Sequence, residues 1–240
     1  MKTFARVIFG LTALCSIVGM IMATIQAADS TAAATAALGD GLRPEVFDSV
    51  WSRVLNVFSY FTIQSNILVT VISIILLINP YRTSDVFRVF RLMGLGAIII
   101  TGLVYNLVLL PLLPPHGFSL VFNVLLHMAT PLLAVIGWLV WGPRIPYRQK
   151  YMWLALLFGV WWIGMALIRG AIIKWYNYPF LDVDKLGYGR VTVNILVIVA
   201  FFIGIALGIM GLDKVLPDRS LAVDDAATEP TSDGAAEAVR

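Results

Sequence analysis

A histidine embedded in an apolar run is the first residue here whose type could do chemistry. His127 sits in Val124-Leu125-Leu126-His127-Met128-Ala129, and the chain holds two histidines in all. Kept neutral by an apolar setting, an imidazole accepts a proton from a hydroxyl. An alcohol is a weak nucleophile until a base takes its proton, so a hydroxyl and an imidazole are the smallest constellation for acyl transfer through a covalent ester. Thr62, in Tyr60-Phe61-Thr62-Ile63-Gln64-Ser65-Asn66, is the candidate hydroxyl. Gln64, Ser65, Asn66, Asn106, Asn123, Arg169, Asn194 and Tyr178 are the candidates for binding substrate or holding an oxyanion, and their types alone do not rank them.

Each residue also has a plainer reading. A threonine in a membrane helix bonds back to its own backbone. His127 serves equally as a packed core histidine, an interhelical partner or an axial haem ligand. The Gln64-Ser65-Asn66 run reads as glue between helices, Arg169 as a side chain snorkelling to the headgroups, and Trp161-Trp162 as packing. His116, in a proline-rich turn, is expected to be solvated.

The elements that must position these groups follow from composition. The chain has 240 residues, 60% of them hydrophobic and 13% charged. A soluble domain is about a quarter charged and half apolar, so this is a membrane protein. The formal charge of +3 comes with no basic run dense enough to track phosphates, which excludes nucleic acid as a partner. Cys15 is the single cysteine and permits no internal disulfide.

Charge-free windows of about 20 residues mark the spans. They run from Val7 to Ala28, Val54 to Tyr81, Leu92 to Pro143, Tyr151 to Ile168 and Val191 to Leu212. Prolines 111, 114 and 115 with Gly117 split the third window into a hairpin. The prediction is an all-α polytopic protein with six spans, at 5–27, 54–79, 91–112, 119–141, 151–172 and 190–212. A cleaved signal peptide is the rival reading of the first window, but its apolar run is longer than the usual signal core of about 7 to 15 residues. After Pro44, Phe47, Val50, Trp51, Val54 and Leu55 recur at helical spacing, so span two is expected to begin before the bilayer. Residues 29–43 read as a loop and 216–240 as a disordered tail poor in bulky apolar residues. No internal repeat is evident.

Lysine and arginine set the orientation. With the N-terminus inside, Lys2, Arg6, Arg82, Arg88, Arg91, Arg144, Arg148, Lys150, Lys214 and Arg219 are cytoplasmic, against Arg43, Arg53, Lys174, Lys185 and Arg190 outside. Both termini are therefore expected in the cytoplasm. Trp51, Trp141, Tyr147, Tyr151, Trp175, Tyr176 and Tyr178 fall near the span ends as interfacial belts. Thr62 lies roughly 14 Å past Arg53 and His127 roughly 12 Å past Ser119 at 1.5 Å per residue, so the two reach one depth in the outer half. Tyr105, Asn106, Arg169, Thr192 and Asn194 converge on the same chamber.

Tyr60-Phe61-Thr62, His127 and Trp175-Tyr176-Asn177-Tyr178-Pro179-Phe180-Leu181 resemble the androgen-induced membrane protein family, over the six-helix core. Its animal members include the androgen-dependent regulator of tissue factor pathway inhibitor. The resemblance implies a multipass threonine hydrolase that cleaves fatty-acid esters of hydroxy fatty acids, with Thr62 as nucleophile and His127 as base. Membrane lipids or lipid esters are then its partners. No cofactor is implied, since one histidine without a helix-borne carboxylate makes no usual metal site. The alternative is a non-catalytic lipid-binding protein or small transporter, against which stands the absence of an acid within the spans to relay protons. A haem or quinone protein ligated by His127 is a third possibility.

Overall fold

The computed structural model describes residues 2–29, 47–144 and 146–217. Six helices are long and apolar enough to cross a membrane, and no strand occurs among the described residues. The chain is an all-helical integral membrane protein. We number the helices α1 (Lys2–Asp29), α2 (Val50–Val57), α3 (Phe61–Ile78), α4 (Asp85–Leu112), α5 (Phe118–Trp141), α6 (Gln149–Ile173) and α7 (Val183–Val215). The loop expected near 29–43 and most of the expected tail lie outside the described residues.

The core sits where α1, α3, α4 and α5 pack, continuing to α6 and α7 through Leu92, Ile98, Ala155, Phe202 and Ala206. Small residues allow the crossings, as expected when no solvent drives helices together in lipid. At Gly102 of α4 an added Cβ would lie 3.1 Å from Pro131 and 3.4 Å from the His127 carbonyl of α5. α4 and α5 therefore pack closely beside the histidine.

Span two is not one helix. Ser59 Oγ donates to the Asn56 carbonyl at 2.6 Å, a side-chain bond that ends α2 locally. After Phe58-Ser59-Tyr60 the chain restarts as α3, so Thr62 falls in the first turn of its span. Arg53 is no free surface charge either: its guanidinium donates to the Ala27 and Ala28 carbonyls at 3.1 and 3.3 Å, satisfying orphan groups at the C-terminal end of α1. The last span starts at Val183, seven residues before the expected 190, because Asp182 caps it and Gly187, at φ 73°, absorbs a bend.

Several side chains assigned to interfaces are interior. Tyr147, Tyr151 and Tyr178 are buried, whereas Trp51 is 75% exposed. Arg91 lies within α4, 1% exposed, with its guanidinium donating to the Pro143 carbonyl. The expected absence of an acid is also corrected. α7 continues through Asp213, which is buried and accepts from Trp138 Nε1 at 2.7 Å and from Arg144 at 3.1 Å. Pairing is what lets a carboxylate stay there.

Candidate functional site

α5 carries His127 on an irregular turn. Residues Leu125–Ala129 form a π turn in which the Thr130 N–H reaches back five residues to the Leu125 carbonyl. In a regular helix that N–H would bond Leu126, and the next would bond His127. The next residue is Pro131, which has no N–H to give. Two consecutive carbonyls, those of Leu126 and His127, are thereby freed inside the bundle. Asn66 of α3 donates to the first at 3.3 Å and Asn106 of α4 to the second at 3.1 Å. Asn66 also donates to the Thr62 carbonyl at 2.8 Å and accepts from Ser16 of α1 at 3.0 Å. One buried amide therefore ties the threonine turn to the histidine turn.

The threonine and histidine side chains meet. Thr62 Oγ1 lies 3.2 Å from His127 Nε2, and His127 Nδ1 lies 3.1 Å from the Asn123 carbonyl. A carbonyl only accepts, so the neutral ring carries its proton on Nδ1 and presents a bare Nε2 to the threonine. Thr62 Oγ1 then donates to Nε2. Both residues are nine-tenths or more buried, away from the water that would compete for either group.

Tyr178 completes the cluster. The N-cap of α3, Tyr60, offers no side-chain bond, so the first amides of that helix lack the usual capping oxygen. The Tyr178 hydroxyl takes that place, accepting from the Thr62 N–H at 3.4 Å and lying 3.3 Å from Thr62 Oγ1. The single Thr62 hydroxyl proton points at His127, so across the second contact Tyr178 is the donor. Burial pushes the Tyr178 phenol above its ordinary range, which keeps it a donor. Its ring is wedged among Tyr60, Trp162 and Phe180 at centroid distances of 5.8, 5.6 and 5.2 Å.

The other expected site residues surround this cluster without touching its reactive atoms. Gln64 donates to the Phe58 carbonyl, and Ser65 bonds the Thr62 carbonyl and Thr101. The Asn123 side chain bonds the Ser119 carbonyl one turn back, so its backbone, not its amide, serves the histidine. Asn194 donates to the Phe180 carbonyl and anchors the turn that carries Tyr178. Arg169 does not snorkel. It donates to Asn56 at 2.7 Å and Asn177 at 3.4 Å, with its guanidinium over the paired Phe47 and Trp175 rings. Asn177 in turn donates to Ser59 at 2.6 Å and Trp162 to the Ser59 carbonyl at 3.0 Å. This network of Asn56, Ser59, Asn177 and Trp162, which secures the α2–α3 break, went unrecognised in the sequence.

A narrow apolar cleft of about 60 Å³, between α4, α6 and α7, begins at Thr62 and Tyr178 and runs past Val104, Gly159 and Ile163 to Phe202. These features define a polytopic helical membrane protein with a buried threonine–histidine pair beside an apolar cleft. Compared with known proteins, the chain matches no family model, no curated protein and no solved structure.

Proposed function

We propose that the protein is an intramembrane lipid ester hydrolase with Thr62 as nucleophile and His127 as general base. The carrying observation is the 3.2 Å contact from Thr62 Oγ1 to a His127 Nε2 left unprotonated by the Asn123 carbonyl. Thr62 Oγ1 attacks the ester carbonyl as His127 Nε2 takes its proton. Tyr178, no longer needed at Oγ1, turns its O–H to the developing oxyanion. The tetrahedral intermediate collapses, the alkoxide leaves with the proton from His127, and an acyl-threonine remains. Water then attacks the acyl carbon, His127 takes a water proton and returns it to Thr62 Oγ1, and the carboxylic acid departs. A base and one preorganised donor together supply several orders of magnitude in rate.

The cleft supports a lipid substrate reached from the bilayer. Its present volume admits water rather than an acyl chain, so a chain enters by parting α6 from α7. The likeness of the Thr62, His127 and Tyr178 segments to the androgen-induced family favours fatty-acid esters of hydroxy fatty acids. With the N-terminus in the cytoplasm, the pair faces the outer leaflet of a bacterial cell membrane.

The test is hydrolysis of such an ester in detergent by wild type, Thr62→Ala and His127→Ala. Loss in both variants, with a fluorophosphonate label that disappears only in Thr62→Ala, supports the reading. Unchanged activity in either variant removes that residue from the mechanism. Lipid recovered intact with no covalent adduct would make the protein a binder or transporter.

A further inference from the structure

When His127 Nε2 takes the Thr62 proton, positive charge arises on a ring that pairs with no carboxylate among the described residues. None of the ion pairs among the described residues includes His127. What faces the ring and its turn can be named element by element. α3 presents Thr62 Oγ1 to Nε2, with Tyr178 one contact further on; α5 itself presents the Asn123 carbonyl to Nδ1. α1 meets the turn at Leu126 with Gly19, which has no side chain. α4 presents Tyr105, whose ring lies parallel to the imidazole, 3.7 Å between centroids and 14° between planes.

That stack distinguishes the two charge states of the base. Two neutral rings lying face on face gain little, because their quadrupoles repel. An imidazolium over the same negative face is attracted, most strongly where water is excluded. Tyr105 is also held in place. It is 6% exposed, opens the π turn Tyr105–Leu109 of α4, and lies one turn beyond Gly102, where α4 closes on Pro131.

We propose that Tyr105 is a positioning residue that tunes the base: its π face, stacked over the ring, stabilises the imidazolium of His127 and so does the charge-stabilising work that an acid does in a three-membered triad. This rests on the reading of His127 as base and deepens it. The aromatic face does the work, so phenylalanine keeps the effect and an aliphatic side chain loses it.

Replacing the second histidine by His116→Asn leaves one imidazole in the chain, and its titration is then read by nuclear magnetic resonance in detergent micelles without any turnover. Tyr105→Phe keeps the midpoint, whereas Tyr105→Leu and Tyr105→Met lower it by about one pH unit. In the hydrolysis assay the acid limb of kcat/KM moves to lower pH by the same amount, and the plateau falls about tenfold as the weaker base takes the proton less readily. Equal midpoints in Tyr105→Phe and an aliphatic variant overturn the proposal. Should the leucine variant lose its helical signal, the methionine variant decides. A shifted midpoint together with full hydrolysis by Thr62→Ala would sink the nucleophile reading and leave the tuning intact.

Discussion

Replacing Tyr178 by phenylalanine separates the two jobs of its hydroxyl. In the resting protein that oxygen accepts the Thr62 N–H and donates to Thr62 Oγ1. In the proposed attack it is the phenol donor that lies, among the described residues, against Thr62 Oγ1. Loss of a single preorganised oxyanion donor costs about 10²–10³ in kcat. The fold pays less. Phenylalanine keeps the ring packed on Tyr60, Trp162 and Phe180, and the new deficit is one buried amide without an acceptor, roughly 1–3 kcal/mol. The interaction belongs to the transition state, so KM stays near wild type while kcat falls. Steady-state kinetics in detergent with a thermal melt read both numbers. A folded Tyr178→Phe protein with wild-type kcat would refute the donor role, and equal losses in kcat and in folded fraction would reduce Tyr178 to a helix cap.

Other expectations follow from the same geometry. Pro131→Ala restores an N–H opposite the His127 carbonyl, competes with Asn106 and favours a regular helical turn; hydrolysis drops at least tenfold, by analogy with small misplacements of catalytic groups, while the melting temperature holds or rises. Asn106→Ala leaves that carbonyl without its donor, and a melt registers a loss of about 1–3 kcal/mol alongside weaker fluorophosphonate labelling of Thr62. Asp213→Asn breaks a buried pair whose side chains are 1% and 7% exposed, a destabilisation of about 3–5 kcal/mol, yet labelling of the folded fraction is unchanged because the pair is remote from Thr62. Gly102→Ala places a methyl 3.1 Å from Pro131, forcing α4 away from α5 by a few tenths of an ångström, and reduces kcat more than it reduces stability.

Spans were legible because charge is excluded from hydrocarbon, a constraint that acts residue by residue and so shows in a window. The coming together of Thr62 and His127 was legible for a related reason: helical rise converts position into depth. That arithmetic assumed one helix from Arg53 to Thr62, which the break at Phe58-Ser59-Tyr60 contradicts, and the shared depth survives because α3 restarts immediately. The carbonyls freed beside Pro131 were not read from the sequence: the π turn that frees Leu126 and the amides that bond both carbonyls depend on packing between helices far apart in sequence. The burial of Tyr147, Tyr151 and Tyr178 was hidden similarly. An aromatic ring with a polar tip near a span end suits a headgroup layer and a buried pocket equally well, and only the neighbours decide. Asp213 escaped because the window closed on its charge, while its partners Trp138 and Arg144 lie 75 and 69 residues earlier.

The cap that Tyr178 places on α3 has a consequence for biogenesis. Thr62 is separated from His127 by 65 residues and from Tyr178 by 116, and chains emerge from the ribosome N-terminus first. A nascent chain with its first four spans inserted holds Thr62 and His127 but neither the phenol nor the walls that α6 and α7 lend to the cleft. On the proposed mechanism, ester cleavage would therefore require α6, the Tyr178 turn and α7 to be in place.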